Sequence, residues 1–439
     1  MPLRRIAQFI AEHQLLSSGG KHLVALSGGA DSVALLLSLQ ELGYKLEAVH
    51  CNFHLRGEES DRDEAFCASL CEEQNLPFHR VHFDTREYAL LHHVSIEMAA
   101  RELRYDYFER LRGDIGADTI CVGHHRDDLV ETVIMNLIRG TGLQGLTGIS
   151  PRNGHVVRPL LKISHEELVD YLRKKNKDFV TDSSNLVDDV VRNKVRLHLI
   201  PAFKGINPAA CDHIAKTAEY LSHVRDFSNG QAEKILAKSH LKEGGFQLSP
   251  FISLKGHNFL IYHLLHDKGF TTTQISEVVK SLEETGKFWT SRSHECTVNR
   301  GKLYVRDIPT PFKTIQLSEP GAYRLSNGRK CRLVIMNRQH DFIPSKDAWD
   351  ITLDAELVAL PLTLRPTAQG DRFVPFGMRG SKLVSDYLTD KKKNLFEKKD
   401  QLVITDAKDD IIWLIGERIA DGCKVKDTTR KVMRISIED

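Results

Sequence analysis

Two short stretches hold residues whose types and spacing could do chemistry. In HLVALSGGADSVALLL (22–37), the run Ser27-Gly28-Gly29-Ala30-Asp31-Ser32 stands between two apolar segments. In GHHRDDLVETVIMNLIRGTGLQGLTGI (123–149), His124 and His125 precede Asp127, Asp128 and Glu131. Glycines in a turn let the backbone approach a ligand, and the free N–H groups and dipole of a following helix favour an anion such as phosphate. Ser27 and Ser32 would add hydroxyl donors. A phosphate-transferring P-loop would end in Lys-Ser or Lys-Thr, and no lysine stands here. A hydrolase elbow, G-x-S-x-G, lacks its first glycine because Ala25 occupies that place, and it gives Asp31 no task. An ordinary capped turn is the plainest alternative. In the second stretch, Asp127 and Glu131 are four apart and Asp128 and Glu131 three apart, so their carboxylates converge on one helix face. Acids in a first helical turn also complement the helix dipole without further function. The two histidines suit substrate contact or acid–base work better than zinc, since no cysteine pair is near.

These residues need elements to hold them. Leu23–Leu26 reads as a short buried strand and Val33–Leu39 as a buried helix, so the first stretch is a strand-to-helix turn. Further strands are expected at Leu46–Phe53, Phe78–Phe83 and Thr119–Gly123. Helices are expected at Glu64–Gln74, Ser95–Leu111 and Arg126–Ile138. The alternation predicts an α/β, doubly wound parallel sheet with ligands at the carboxyl ends of its strands, which puts both stretches on one edge. Residues 141–160, rich in glycine, read as a long loop beside the site. Helical patterns return at Ser164–Lys175 and Asp188–Leu199, with Pro201 as a stop. From about 212 to 310 the pattern is helical and then mixed, and short apolar segments such as CRLVIM and DIIWLIG beyond 312 predict a small β-rich α+β module. The expected domains are therefore a catalytic domain at 1–212, a mostly helical middle domain at 213–310 and a C-terminal module at 311–439.

Composition narrows the class. A chain of 439 residues with 41% apolar residues can bury two or three cores. No apolar run approaches the length of a membrane span, and MPLRRIAQFIAEHQLL reads as an amphipathic helix rather than a leader, so a cytoplasmic protein is expected. The eight cysteines form no C-x-x-C pair, which argues against structural zinc and iron–sulfur sites. The formal charge is only +2, yet residues 365–434 hold 16 Lys and Arg against 11 Asp and Glu. That local basic excess points to a polyanionic partner for the C-terminal module.

Taken with its flanking strand and helix, S-G-G-x-D-S resembles the pyrophosphate loop of the ATP pyrophosphatase superfamily, whose members adenylate an oxygen and release pyrophosphate. Within it, G-H-H-x-D-D-x-x-E-T followed by L-x-R-G-T-G-x-x-G-L-x-G-I resembles the tRNA(Ile)-lysidine synthetase family. RELRYDYF (101–108), VRPLL (157–161), DSSNLVDDVVRNKVRLHLIP (182–201) and GDRFVPFGMRG (370–380) are similar to further family segments in the same order. The likeness is close over about the first 200 residues and moderate over the last 75. The chain departs from it at LFEKKDQLVIT, where the family often has Arg and Pro.

The resemblance implies a two-step reaction on an isoleucine tRNA with a CAU anticodon. The C2 oxygen of the wobble cytidine attacks the α-phosphate of ATP, and the ε-amine of L-lysine then displaces AMP. It assigns Ser27, Gly28, Gly29, Ala30, Asp31 and Ser32 to pyrophosphate, and Asp31 and Asp128 to Mg²⁺. It assigns Glu131 to the lysine ammonium and Arg104, Arg192 and Arg196 to phosphate or the adenylate, with His124 and His125 beside the substrate. It also makes the module at 311–439 a tRNA-binding one. A homodimer is compatible with the sequence, and no membrane is expected as a partner. Two alternatives remain at this stage, a tRNA thiolase of the same superfamily and a non-catalytic, nucleotide-dependent RNA-binding protein.

Overall fold

The computed structural model describes residues 2–181, 191–242, 244–339, 342–345 and 347–438. The chain divides into two compact units, Met1–Ser228 and Asn229–Asp439.

In the first unit, α1 (Pro2–Glu12) leads to β1 (Lys21–Ala25), α2 (Ala30–Glu41), β2 (Lys45–Asn52), α3 (Glu58–Glu73) and β3 (Phe78–His82). Then come α4 (Thr85–His92), α5 (Ile96–Asp114), β4 (Thr119–Cys121), α6 (Arg126–Arg139), α7 (Leu143–Leu146), β5 (Arg152–Asn153), β6 (Val156–Val157) and α8 (His165–Lys174). The strands form one sheet of order β3-β2-β1-β4-β6-β5. All pairings are parallel except that of β5 with β6. Leu23 of β1 lies opposite Glu47 of β2 on one side and Ile120 of β4 on the other. The chain winds outward in opposite directions from β1 and β4, so a crevice opens between their carboxyl ends.

The apolar run after Ser32 forms a helix buried on nearly every side, with Val33, Leu35, Leu36 and Leu39 wholly inaccessible. At roughly 1.5–3 kcal/mol for each fully buried leucine, this helix is a principal anchor of the core. Residues 141–160 differ from the expected loop. They contain the short helix α7, and Val156 and Val157 pair in parallel with Ile120 and Cys121 as β6. Two-residue strands carry too little alternation to be read from sequence. Helix α4 was likewise not expected. Helix α9 (Val191–Lys194) continues through a π-helical turn at Val195–Leu199 into α10 (Ile200–Ile206), which α11 (Ala210–Ser239) follows. The start of the helix expected at Asp188–Leu199, and the DSSN segment, lie outside the described residues.

The second unit begins within α11. Beyond it, β7 (Phe246–Gln247), α12 (Ser249–Ile252), α13 (His257–Leu265), α14 (Thr272–Lys280), β8 (Lys287–Thr290), β9 (His294–Asn299) and β10 (Lys302–Asp307) follow. The helices share a core with a four-stranded antiparallel sheet, β7-β10-β9-β8, where a helical and then mixed pattern was expected. The remaining strands include β11 (Ile315–Leu317), β12 (Gly321–Arg324), β13 (Lys330–Asn337), β14 (Asp350–Asp354) and β15 (Leu362–Pro366). After the short pair β16 (Arg372–Phe373) and β17 (Lys382–Leu383) come α15 (Val384–Asp390) and α16 (Leu395–Lys399). The last strands are β18 (Leu402–Thr405), β19 (Ile411–Leu414), β20 (Arg418–Ile419) and β21 (Lys431–Glu438). Sheets β11-β15-β18-β19-β20 and β12-β13-β21-β14 share a core in which Trp413 is fully buried among Leu333, Leu364, Ile404 and Ile435.

Candidate active site

The turn after β1 closes on itself. The Ser27 N–H donates to Ser32 Oγ at 3.1 Å, the two hydroxyls lie 3.1 Å apart, and Ser32 Oγ donates to the Gly29 carbonyl at 2.9 Å. Both hydroxyls thus shape the loop before any ligand arrives. Gly28 has φ +90°, and a Cβ there would stand 2.7 Å from Val180 Cγ2, so only glycine fits. Gly29 caps α2 without a side-chain bond, so no side chain blocks the helix's positive end. Gly123 brings the end of β4 against this loop: a Cβ on it would lie 3.2 Å from the Ser32 backbone nitrogen.

The second stretch faces the first across the crevice. His125 caps α6, its Nδ1 accepting the Asp127 N–H at 3.2 Å, while Asp128 Oδ2 accepts the His125 N–H at 2.9 Å. The other ring nitrogen, Nε2, stands 3.5 Å from both Asp31 Oδ2 and Asp128 Oδ2. Burial by itself would lower the His125 pKa, but the hydrogen bond to Asp31 and the charges of Asp128 and Asp31 leave it raised. Burial likewise works to raise the Asp31 pKa, and the bonds from His125 and His165 overcome it and hold this carboxyl far below its ordinary range. His165 Nδ1 lies 2.8 Å from Asp31 Oδ1, and its backbone N–H donates to Asp127 Oδ2 at 3.0 Å. No motif marks His165; it joins the site because α8 starts beside α6. The burial of His124 lowers its pKa to about 4, with Arg158 and Arg192 adding to the effect against Asp128, and its Nδ1 is buried without a hydrogen-bond partner.

Glu131 is 1% exposed, and two arginines take both its oxygens. Arg196 Nε lies 2.6 Å from Oε1 and Arg192 Nε 2.6 Å from Oε2, while Arg192 Nη2 reaches Asp128 Oδ1 at 2.6 Å. Val195, between the arginines in sequence, packs with Val130 and Ile134 of α6 and sets that register. Arg192 and Arg196 therefore pair with the acids of α6. Arg104 lies elsewhere, 5.1 Å above the Phe53 ring. It lines a cavity of about 400 Å³ together with Ser27, Asp31, Ser32 and His124. His50 and Asn52 of β2, and Arg56 in the loop after it, which no motif singled out, line the same cavity. Their signal was position: β2 is the neighbour of the strand that carries the loop.

Among the described residues, Asp31, His125 and His165 are the one group of three or more His, Cys, Asp or Glu placed to share a metal ion. Mg²⁺ prefers oxygen and takes one or two carboxylates along with phosphate oxygens and water. Asp31 offers a carboxylate there, its oxygens now shared with His165 and His125. Asp128, the expected second ligand, has its oxygens on Arg192 and the His125 N–H, and an imidazole stands between the two carboxylates.

A doubly wound sheet with a self-closed S-G-G-x-D-S turn at its switch point defines the PP-loop class of protein. The PP-loop domain family matches residues 3–203, and the TilS substrate binding domain matches residues 242–308. The tRNA(Ile)-lysidine synthase of Bacteroides thetaiotaomicron is 39% identical over 436 residues, covering 98% of each chain. That of Parabacteroides distasonis is 39% identical over 445 residues, covering 99% of each. Among solved structures, a U34-tRNA thiolase from Methanococcus maripaludis is similar over 51% of this chain and 78% of its own, at 21% identity and a TM-score of 0.43. The chain belongs to the tRNA(Ile)-lysidine synthase family. No helix among the described residues is long and apolar enough to cross a membrane.

Proposed function

We propose that this protein joins L-lysine to C2 of the wobble cytidine of a CAU-anticodon isoleucine tRNA at the expense of ATP. The observation that carries this reading is the convergence of the Ser27–Ser32 loop and the Asp128/Glu131 helix at one switch point, in a chain that matches a lysidine synthase over 98% of its length. In the first step the cytidine O2 attacks the α-phosphorus and pyrophosphate leaves. In the second, the lysine ε-amine attacks C2, AMP leaves with the former O2, and a proton is lost from nitrogen.

The loop backbone and the open end of α2 receive the charge that grows on pyrophosphate. Mg²⁺, bound with ATP at Asp31, would supply further neutralisation of that charge. Arg104, at the cavity wall, is placed for phosphate or the adenylate. Glu131 receives a lysine ammonium, which requires Arg192 or Arg196 to leave it, and a guanidinium so released is free to turn to phosphate. His124, kept neutral by its burial, lines the cavity beside the substrate. The basic residues of 311–439 bind tRNA phosphates away from the anticodon. Among the described residues no cysteine belongs to a group of three or more side chains placed to share a metal ion, so their placement lends the thiolase alternative no support. Incubating the protein with the tRNA, ATP and lysine and analysing the digested nucleosides by mass tests the proposal. A cytidine gaining the mass of lysine less water is expected; unmodified cytidine in the presence of all three substrates overturns it.

A further inference from the structure

Helix α11 presents a face that the catalytic site does not use. His213, Lys216, Tyr220, His223, Val224 and Phe227 recur at helical spacing and are all exposed. Tyr220 is 57%, Val224 52% and Phe227 69% exposed, a density of large apolar groups that a surface carries only for a reason. The acids of this segment stand on the neighbouring flank at seven-residue intervals, and each is paired: Asp212 with Arg126, Glu219 with Lys162 and Asp226 with Arg225. The exposed stripe itself carries aromatic rings, a lysine and two histidines, with no carboxylate among them. Lys216 Nζ lies 5.6 Å from the Tyr220 ring centroid, a cation beside a π-face.

A hydrophobic docking face for another protein would not need cations interleaved with rings, and a solvated helix face would not need the rings. Single-stranded RNA needs both, because every base has a face to stack and every nucleotide a phosphate to neutralise. Tyr220 and Phe227 are about 10 Å apart along the helix axis, so each ring has room for its own base.

We propose that this stripe of α11 is an RNA-docking surface on which Tyr220 and Phe227 stack unpaired bases of the tRNA while Lys216 neutralises an adjacent phosphate. The proposal rests on the tRNA substrate assigned above, and the experiment separates the two. Binding of full-length protein to CAU-anticodon isoleucine tRNA is followed by fluorescence anisotropy across a salt series, for the wild type, the double variant Tyr220→Ala/Phe227→Ala, the pair Tyr220→Phe/Phe227→Tyr and Lys216→Ala. The double alanine variant should bind at least tenfold more weakly with an unchanged salt slope, since stacking releases no counterions. The ring-preserving pair should bind like wild type, and Lys216→Ala should reduce the log–log slope by about 0.7 to 1. Thermal midpoints and ATP binding should stay at wild-type values in all variants.

Affinity of the double alanine variant within twofold of wild type overturns the stripe proposal. So does a wild type that sediments as a dimer and a double alanine variant that sediments as a monomer with undiminished RNA affinity, which would make the stripe a contact between copies. If wild type binds the tRNA but forms no lysidine, the functional reading falls while weakened binding by the double variant still upholds the stripe.

Discussion

Arg196 grips Glu131 side-on, with Nε 2.6 Å from Oε1 and Nη2 3.1 Å from Oε2. Arg192 completes the arrangement by bridging Glu131 to Asp128, so two buried acids are neutralised by two arginines four residues apart. A carboxylate this enclosed would be costly if it stood alone, and losing it leaves Arg196 without its close partner and Arg192 with Asp128 only.

Glu131→Gln should therefore show two separable effects. The amide keeps one accepting oxygen, carries no charge and turns an N–H toward an arginine that held the other oxygen, so stability should fall by about 1–3 kcal/mol, read by chemical denaturation. Pyrophosphate release should persist while lysine incorporation drops, and adenylated tRNA should accumulate. An equal loss in both steps would put Glu131 in the first step instead.

Asp31→Asn removes a charge from the centre of the loop while keeping its shape. The carboxylate is ionised at any working pH, because His125 and His165 hold it so. Its loss should cost roughly 3 kcal/mol or more of transition-state stabilisation, by analogy with removing one preorganised electrostatic contact. ATP–pyrophosphate exchange dependent on tRNA, at saturating Mg²⁺, measures this, and near-normal exchange would remove Asp31 from the chemistry.

The strand-loop-helix from Leu23 to Leu39 was legible because its burial and its glycines obey local rules, and so was the helix α6; that His125 and Asp128 cap it was not read. The pairing of Arg192 and Arg196 with Glu131 was not. Those residues are more than sixty positions apart, and only the packing of Val195 on Val130 and Ile134 selects the partner. His165 was illegible for a related reason: it reaches Asp31 through the docking of α8, and the segment ISHEEL reads as an ordinary helix start. Local chemistry is written in short spacings, whereas the charge balance of the site is a tertiary fact.

His124 makes stability depend on pH in a defined window. Its folded pKa near 4 lies below the ordinary histidine value of 6.5, so between those values the unfolded chain takes up a proton that the folded protein refuses. Its contribution is intact above pH 6.5 and is lost as pH falls toward 4, by up to roughly 3 kcal/mol. His124→Asn should flatten that part of the profile. Urea midpoints for both proteins at pH 7, 6 and 5 provide the comparison, and parallel curves would show that His124 titrates normally.

The basic residues around the turn at 370–380 should divide into two kinds. Arg365 forms a bidentate pair with Asp371, at 2.9 and 3.1 Å, and the same carboxylate accepts the Ala368 N–H at 2.8 Å, so this arginine holds the turn together. Arg379 is exposed on the turn itself. Deleting residues 340–439 would test the module poorly, because β14 and β21 complete the sheet of β12 and β13, and β15 pairs with β11. Point substitutions avoid that damage. Arg379→Ala should leave stability within about 0.5 kcal/mol of wild type and lower the log–log salt slope of tRNA binding by about 1. Arg365→Ala should do the reverse, costing about 1–3 kcal/mol of stability with the slope unchanged. Equal slopes for wild type and Arg379→Ala would mean that this turn does not reach a phosphate, and a lowered slope for a stably folded Arg365→Ala would mean that its ion pair opens to bind RNA.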